Sequence, residues 1–214
     1  MTIPDSDQRD ELAELTARVV QLDPGSLVRL RAADQRVVAW ATTPFEVLAT
    51  RAVRGELAVA DLTVPAGELL AALAVVRRAR VDLGTGSAAP AWRAELPPDH
   101  GWRRVAQLPA AELAARAEAG LAEARDAAVV PARHGAGPPL PPADLLDRAA
   151  CTVQVDGRRV PIPLRCLFTL SGLGLLDDGG EPVRVEVTED GGWLRLATAG
   201  CAVVRRRRLL LPLV

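Results

Sequence analysis

The chain has 214 residues, of which about half are apolar and a quarter charged, a composition typical of folded globular proteins. All 26 basic residues are arginine, and with 27 acidic residues the formal net charge is −1. This balance excludes a strong overall attraction to nucleic acid or to an anionic membrane. Because arginine replaces lysine throughout, as expected of a GC-rich genome, a single arginine carries less functional information here than usual.

The N-terminal segment and the apolar runs bear on location. Residues 1–12, MTIPDSDQRDEL, are acidic and polar and lack the basic and apolar regions of a signal peptide. No apolar run approaches the roughly 18 residues that a membrane-spanning helix needs. The sequence therefore predicts a cytoplasmic protein without a membrane partner.

The first half of the chain predicts a helix, four strands and a second helix. Apolar residues at three- and four-residue steps predict a helix that ends near Leu22 and is capped by Ser6 or Asp7. Pro65 ends the last strand and precedes a helix over 66–79. The predicted strands are 27–32, 37–42, 47–53 and 62–64.

The middle of the chain is rich in loop-forming residues. Residues 82–98 predict a loop with a short strand at 91–96, and residues 101–109 predict another strand. Pro109 suits the first turn of a helix that ends near Ala127. Residues 129–145 predict a Pro/Gly linker. We therefore expect an N-terminal α+β half (1–86), a middle section (87–148) and a C-terminal βαβββ half (149–214).

The C-terminal residues 151–214 predict a strand, a helix and three further strands. The first strand turns at Asp156-Gly157. Strict alternation along 183–188 and 193–197 predicts that one set of side chains faces a core. That set is Val183, Val185, Val187, Leu194 and Leu196.

The two halves resemble each other. The hairpin with VRLR (28–31) and VVAW (37–40) is similar to the one with VRVE (183–186) and WLRL (193–196), and TVP (63–65) and PIP (161–163) each lead into a helix. The predicted fold class is α+β, with antiparallel sheets backed by helices and two distantly repeated βαβββ-type units. Chance similarity between alternating hairpins is the alternative.

The C-terminal segment, residues 172–214, resembles the βαβββ repeat of bacterial DNA sliding clamps. The residues that carry this resemblance are GLGLLDDGGEPVRVEVTEDGGWLRLAT and the ending RRRRLLLPLV. The resemblance implies clamp-like architecture. A bacterial clamp has about three domains and this chain is too short for three. No clamp pocket residue is assigned here, because none is matched in this sequence.

A dense charge run, Arg205, Arg206, Arg207 and Arg208, lies in the last predicted strand. Side chains of a strand alternate between its two faces, so this strand lies at a sheet edge or projects beyond the sheet. One interpretation is contact with phosphate or with an acidic partner. The favoured interpretation is a solvated edge that prevents strand pairing between molecules.

Trp92 and Trp102 flank a Pro-rich loop and either anchor a partner or fasten the loop to the body, the second being favoured. Three cysteines and two histidines stand at wide spacings without a CxxC motif, so we expect no metal and no cofactor. Cys151 and Cys166 are predicted in the core, and Cys201 is predicted to be the most exposed thiol.

These patterns predict a non-enzymatic clamp-like or adaptor protein that binds a macromolecular partner or itself. The apolar ending LLLPLV (209–214) favours a homodimer. One alternative is a small enzyme that uses Cys201 or His134 in a pocket between the two halves. A second alternative is direct nucleic-acid binding through the arginine-rich strand.

Overall fold

The computed structural model describes residues 1–75, 80–83, 88–127, 141–176 and 180–207. The chain divides into two compact units, Met1–Pro97 with Gly200–Ala202 (unit 1) and Pro98–Ala199 with Val203–Val214 (unit 2). The predicted boundaries at 86 and 148 stay predictions. Residues 129–140 of the predicted linker lie outside the described residues, whereas its last three residues, 143–145, begin a short helix, so the linker prediction is wrong there.

Unit 1 is built from two helices and four antiparallel strands in the order β4-β1-β2-β3. Helix α1 buries one apolar stripe, and its N-cap is Asp5, whose carboxylate accepts from the backbone N–H groups of Asp7 and Gln8. The predicted cap at Ser6 or Asp7 is wrong by one or two residues. The elements are α1 (Ser6–Leu22), β1 (Leu27–Ala33), β2 (Arg36–Ala41), β3 (Leu48–Arg54), β4 (Asp61–Pro65) and α2 (Ala66–Ala74).

The loop after α2 differs from its prediction. A single 3₁₀ turn at Ala89–Ala91 replaces the short strand expected at 91–96. Pro90 lies in this turn, and proline cannot donate a ladder hydrogen bond, which disfavours a strand there. The part of the predicted second helix at 76–79 lies outside the described residues.

Unit 2 contains the strand order β10-β9-β8-β5 and a separate β6-β7 hairpin, with helix α3 packed on helix α5. The β6-β7 turn is Asp156-Gly157, as predicted, with φ of 48° and 73°. The elements are β5 (Trp102–Leu108), α3 (Ala110–Ala127), α4 (Ala143–Asp147), β6 (Ala149–Val155), β7 (Arg158–Pro163), α5 (Leu164–Gly172), β8 (Val183–Thr188), β9 (Trp193–Ala197) and β10 (Cys201–Arg206).

The predicted βαβββ order is present from β7 to β10, and the predicted inward set is buried. Each of its five side chains is at most 5% exposed, whereas Arg184 and Glu186 between them are half-buried. Alternation along the strands was therefore sufficient to predict the buried face. The fold class is α+β with antiparallel sheets and helices, as predicted.

The two units share one local frame, the strand–Pro–helix junction. Leu27, which opens β1, pairs with Pro65 at the end of β4, and Ala149, which opens β6, pairs with Pro163 at the end of β7. In each unit the backbone N–H of the first helical residue donates a hydrogen bond of 2.9 Å to the carbonyl of the residue that precedes the paired strand. The donors and acceptors are Ala66 to Ser26 in unit 1 and Leu164 to Arg148 in unit 2.

Candidate functional site

A cluster of two buried arginine side chains and one half-buried carboxylate lies next to the junction of unit 2. Asp147 Oδ1 accepts from Arg165 Nε at 2.8 Å and lies 2.7 Å from Arg165 Nη2. Arg205 Nη2 donates to the same oxygen at 2.8 Å. The Arg165 side chain is 2% exposed and that of Arg205 is 11% exposed. We call Asp147, Arg165 and Arg205 the buried cluster.

The Arg205 guanidinium of the buried cluster is not fully hydrogen-bonded within the described part of the chain. Two guanidinium groups share one carboxylate oxygen, and Arg205 Nη1 is buried without a hydrogen-bond partner in the described part of the chain. Burying a charge is costly unless it is paired and fully hydrogen-bonded. Arg205 Nη1 is therefore a donor that an incoming hydrogen-bond acceptor would satisfy.

A pocket of about 180 Å³ opens beside the buried cluster. Arg207, which follows β10, adds a second cationic group to its wall, and burial lowers the pKa of this guanidinium. Asp147 is the sole acid among the described lining residues. We call this site the arginine pocket, and its lining residues are Asp147, Pro161, Pro163, Leu194, Arg205 and Arg207.

Unit 1 builds the same junction without charge. By the paired positions given above, Gly25 corresponds to Asp147 and Gly67 corresponds to Arg165. A Cβ added at Gly67 would have no atom within 4 Å among the described residues. The same backbone junction thus forms in unit 1 with glycine at both positions, so its hydrogen bond does not depend on charged side chains there.

The predicted arginine run divides into different environments. Arg205 lies against Asp147 instead of in solvent, and Arg207 Nη1 donates to the Gly191 carbonyl at 2.9 Å. Arg206, between them, is exposed. Arg208 lies outside the described residues. Alternation along the strand thus places two of the four predicted site residues in the arginine pocket and directs a third away from it.

Trp92 and Trp102 each donate an indole hydrogen bond to their own loop, from Nε1 to the Ala94 carbonyl at 2.6 Å and to the Pro98 carbonyl at 3.0 Å. Trp92 is 9% exposed and Trp102 half-buried. An arginine lies over each ring, Arg29 at 5.9 Å and Arg195 at 5.6 Å from the ring centre. These contacts fit the loop-fastening interpretation, and a partner-binding role for either ring stays a prediction.

The cysteines lie in different environments in the described part of the chain. The prediction that Cys201 is the most exposed thiol is wrong, since it is 5% exposed and accepts from Arg51 Nη1 at 3.0 Å. Burial raises the pKa of the Cys201 thiol despite this arginine. Cys151 is half-buried and burial raises its pKa too. His134 lies outside the described residues.

Sequence reasoning missed Asp147 and Arg165. Arg165 stands in the apolar run LRCLFTL directly after Pro163, and a charged residue in a buried helix is a signal that could have found it. Asp147 carried no such signal, because a carboxylate after a short apolar stretch is common. Among the described residues, no group of three or more His, Cys, Asp or Glu could hold a metal ion.

Solved structures of bacterial DNA sliding clamps are similar to this chain in fold. A Caulobacter crescentus DNA polymerase sliding clamp matches with a TM-score of 0.54 and 13% identity, over 95% of this chain and 65% of the clamp. A putative DNA polymerase III beta subunit from Eubacterium rectale matches with a TM-score of 0.54 and 8% identity, over 99% and 66%. The Pseudomonas aeruginosa DNA polymerase III subunit beta matches with a TM-score of 0.52 and 16% identity, over 95% and 64%.

The resemblance seen in residues 172–214 thus extends, as a likeness of fold, over most of the chain. The chain spans less than two thirds of the length of these clamps. In sequence, residues 97–210 match a domain of unknown function, DUF8185, and residues 1–94 match a second one, DUF8010. Since the first match covers more than half of the chain, the chain belongs to the DUF8185 family.

Two further findings complete the comparison. No curated protein matches the chain in sequence. Within the described ranges, none of the helices combines the length and the apolar character needed to cross a bilayer.

Proposed function

We propose that this chain is a non-enzymatic interaction module with clamp-like architecture, and that it binds a partner protein at the arginine pocket of unit 2. The observation that carries the proposal is the buried cluster, which stands at one of two matching junctions. Charge buried where the fold does not need it lowers stability, so its presence favours a binding role.

The alternative of a small enzyme has less support. Its candidate nucleophile Cys201 is buried, and burial holds the thiol protonated, whereas catalysis would need the thiolate. Its other candidate, His134, lies outside the described residues. The arginine pocket itself contains arginine, proline, leucine and one aspartate, a set suited to recognition more than to proton transfer.

The alternative of direct nucleic-acid binding is weakened by the position of Arg205. Phosphate contacts are typically made by solvated basic side chains along an open surface. Arg205 is almost enclosed and already paired with Asp147. The sliding clamps that match this chain in fold are DNA polymerase subunits by name, but at such low identities they inform only the fold.

The test is affinity capture from a lysate of the host cell with three forms of the protein. Wild type and Arg206→Gln are expected to retain the same partner, and Arg207→Gln is expected to lose it. Both variants remove one positive charge from neighbouring residues, so the pair separates the pocket from general electrostatics. Equal retention by all three forms, with folding verified by circular dichroism, would refute the proposed function.

We also propose that the chain forms a homodimer through residues 209–214, which lie outside the described residues. The support is their sequence, LLLPLV, which is too apolar to remain in solvent. Light scattering should give a dimer for the full chain and a monomer after deletion of 209–214. A deletion variant that stays dimeric would contradict this part of the proposal.

A further inference from the structure

We infer that an apolar groove on unit 1 receives residues 209–214, LLLPLV, of a second copy of the chain. This inference rests on the proposed homodimer and deepens it, because it names the surface that the segment contacts. The groove has a volume of about 1010 Å³. Helix α2 and the residue after it line one side, and the loop that joins β3 to β4 lines another. These lining residues are Ala71, Ala72 and Val75, and Leu57, Ala58 and Val59.

Helix α2 is apolar on two faces. One face packs into unit 1, and its buried residues are Ala66, Leu69 and Leu73. At 100° per residue, the residues that line the groove lie on a different side of the helix. Glu68 is the one charged residue of α2. A helix that is apolar all round is normally buried, so we expect its second face to be covered in the assembled protein.

The loop between β3 and β4 carries four consecutive apolar residues, Leu57 to Ala60, of which the last three are exposed. Among the described residues, the only exposed large apolar side chains are Val59, 50% exposed, and Val75, 73% exposed. Both line the groove. Soluble proteins avoid exposed apolar runs of this length unless the run has a function. The loop and the helix therefore point to one docking surface.

The size of the groove suits a short extended segment. Its volume is at the upper end of the roughly 300–1,000 Å³ of ligand pockets, so it accommodates several side chains. Residues 209–214 span about 20 Å when extended. Pro212 fixes its own φ and favours extended backbone at Leu211. A segment restricted in this way loses less conformational entropy when it binds.

The chain itself supplies an occupant of matching chemistry. The described residues end at Arg207, and of the seven residues that follow it in the sequence six are apolar. Groove and segment each gain by removing apolar surface from water. In a two-fold dimer the contact forms twice, because each copy contributes one groove and one segment. We therefore commit to a second copy and treat docking within one chain, or of another protein, as outcomes of the test.

The test uses the full chain and two groove variants. Val75→Asp places a charge on the helix side of the groove, and Val59→Asp places one on the loop side. Both side chains are exposed in the single chain, so neither substitution should disturb folding, which circular dichroism verifies. Ala115→Asp is the matched control, since it adds the same charge at an exposed position of α3 in unit 2.

Sedimentation equilibrium measures the Kd of the dimer for each form. Val75→Asp and Val59→Asp should each raise this Kd about tenfold or more, because the docked segment would bury an unpaired carboxylate. Ala115→Asp should change it less than about twofold.

A photochemical crosslink then identifies the occupant. An isotope-labelled chain carries p-benzoylphenylalanine in place of Leu209 or, in a second preparation, of Leu211. It is mixed with unlabelled wild type by dilution and reconcentration and is irradiated. Mass spectrometry should find labelled peptides of the segment joined to unlabelled peptides that contain residues 57–59 or 71–75.

Four results would overturn the inference. They are an unchanged Kd in both groove variants, crosslinks outside the groove, crosslinks confined to one labelled chain, and a wild type that is monomeric. In the last case the homodimer fails as well. A dimer that is lost on deletion of 209–214 but kept in both groove variants would leave the homodimer standing and remove its assigned surface. A captured protein lost only in the groove variants, with the Kd unchanged, would assign the groove to that protein instead.

Discussion

The strand–Pro–helix junctions of the two units have equivalent backbone hydrogen bonds but different side chains. In unit 1 the two positions beside the junction are Gly25 and Gly67, and in unit 2 they are Asp147 and Arg165. The Arg165 side chain is nearly inaccessible to solvent. At Gly67, by contrast, no atom of the described residues lies within 4 Å of an added Cβ. The comparison separates what the fold needs, a proline and one backbone hydrogen bond, from what has been added to it.

The comparison also shows that the number of arginines beside a carboxylate does not predict how far their side chains are buried. Arg29 in unit 1 pairs with Asp61, whose carboxylate also lies 3.9 Å from Arg31 Nε, and the three side chains are each about one third exposed. Arg205 in unit 2 shares its carboxylate with a second arginine and is almost enclosed. Because two arginines share the carboxylate at both sites, exposure is what distinguishes a solvated pair of small energetic effect from a group whose charge is costly to bury.

The largest expected effect comes from breaking the buried cluster. Asp147→Asn leaves two buried guanidinium groups without their carboxylate and should lower the free energy of unfolding by about 3 kcal/mol. Asp61→Asn, the control in unit 1, should cost at most about 1 kcal/mol. Urea denaturation of both variants gives these values.

A triple variant tests whether the fold needs the cluster. With Asp147→Ala, Arg165→Met and Arg205→Met together, no charge stays buried, and most of the lost stability should return. If the triple variant is less stable than Asp147→Asn alone, the cluster is required for folding, and the comparison with unit 1 fails.

A second effect concerns helix packing. A Cβ at Gly120 of α3 would lie 2.7 Å from Leu164 Cδ2 and 3.1 Å from two ring atoms of Phe168. Overpacking should outweigh the higher helix propensity of alanine. Gly120→Ala should therefore lower the free energy of unfolding by about 1 kcal/mol. The added Cβ of Gly67→Ala in α2 would meet open space, so this variant should raise the free energy of unfolding by a few tenths of a kcal/mol. Thermal melts that rank the two variants in the opposite order would contradict the described packing.

A third effect depends on pH and on Cys166 in the core of unit 2. Burial raises the pKa of this thiol from 9.0 to about 12. A thiol with a raised pKa in the folded state costs no stability below pH 9, because both states are then protonated. Above that pH the unfolded state loses the proton first, and stability should fall by about 1 kcal/mol per pH unit up to pH 12.

The measurement is the difference in free energy of unfolding between wild type and Cys166→Ala from pH 8 to pH 11. The difference should be constant below about pH 9. Above that pH, wild type should lose stability relative to Cys166→Ala. The subtraction removes the titration of every other group, including Cys201 in unit 1. A pH-independent difference would contradict the burial of this thiol.

The smallest effects are expected at exposed ion pairs, whichever unit contains them. Arg103–Asp156 in unit 2 and Arg18–Glu14 in unit 1 have partners that are at least one third exposed. Asp156→Asn and Glu14→Gln should each change the free energy of unfolding by about 0.5 kcal/mol or less. A large fall in the free energy of unfolding at either site would mean that burial does not explain why the buried cluster has a larger effect on stability than other ion pairs.

Much of the fold followed from local patterns in the sequence. The β1-β2 and β6-β7 hairpins, helices α1 and α3, and the inward faces of β8 and β9 were all predicted, because alternation and helical spacing act over a few residues. The short helix α4 was not predicted, since it begins within the predicted linker. The strand–Pro–helix similarity was visible too, since proline ends a strand by removing a donor. These features need no knowledge of distant contacts.

The candidate site depended on tertiary structure. Asp147 and Arg165 are 18 residues apart and Asp147 and Arg205 are 58 apart, and only folding brings their charged groups to one carboxylate oxygen. Burial of Cys201 likewise depends on distant chain, since its sulfur meets Arg51, 150 residues away. Local periodicity determines which face of an element turns inward. Which charges then meet inside, and whether they balance, is decided by packing between elements far apart in sequence.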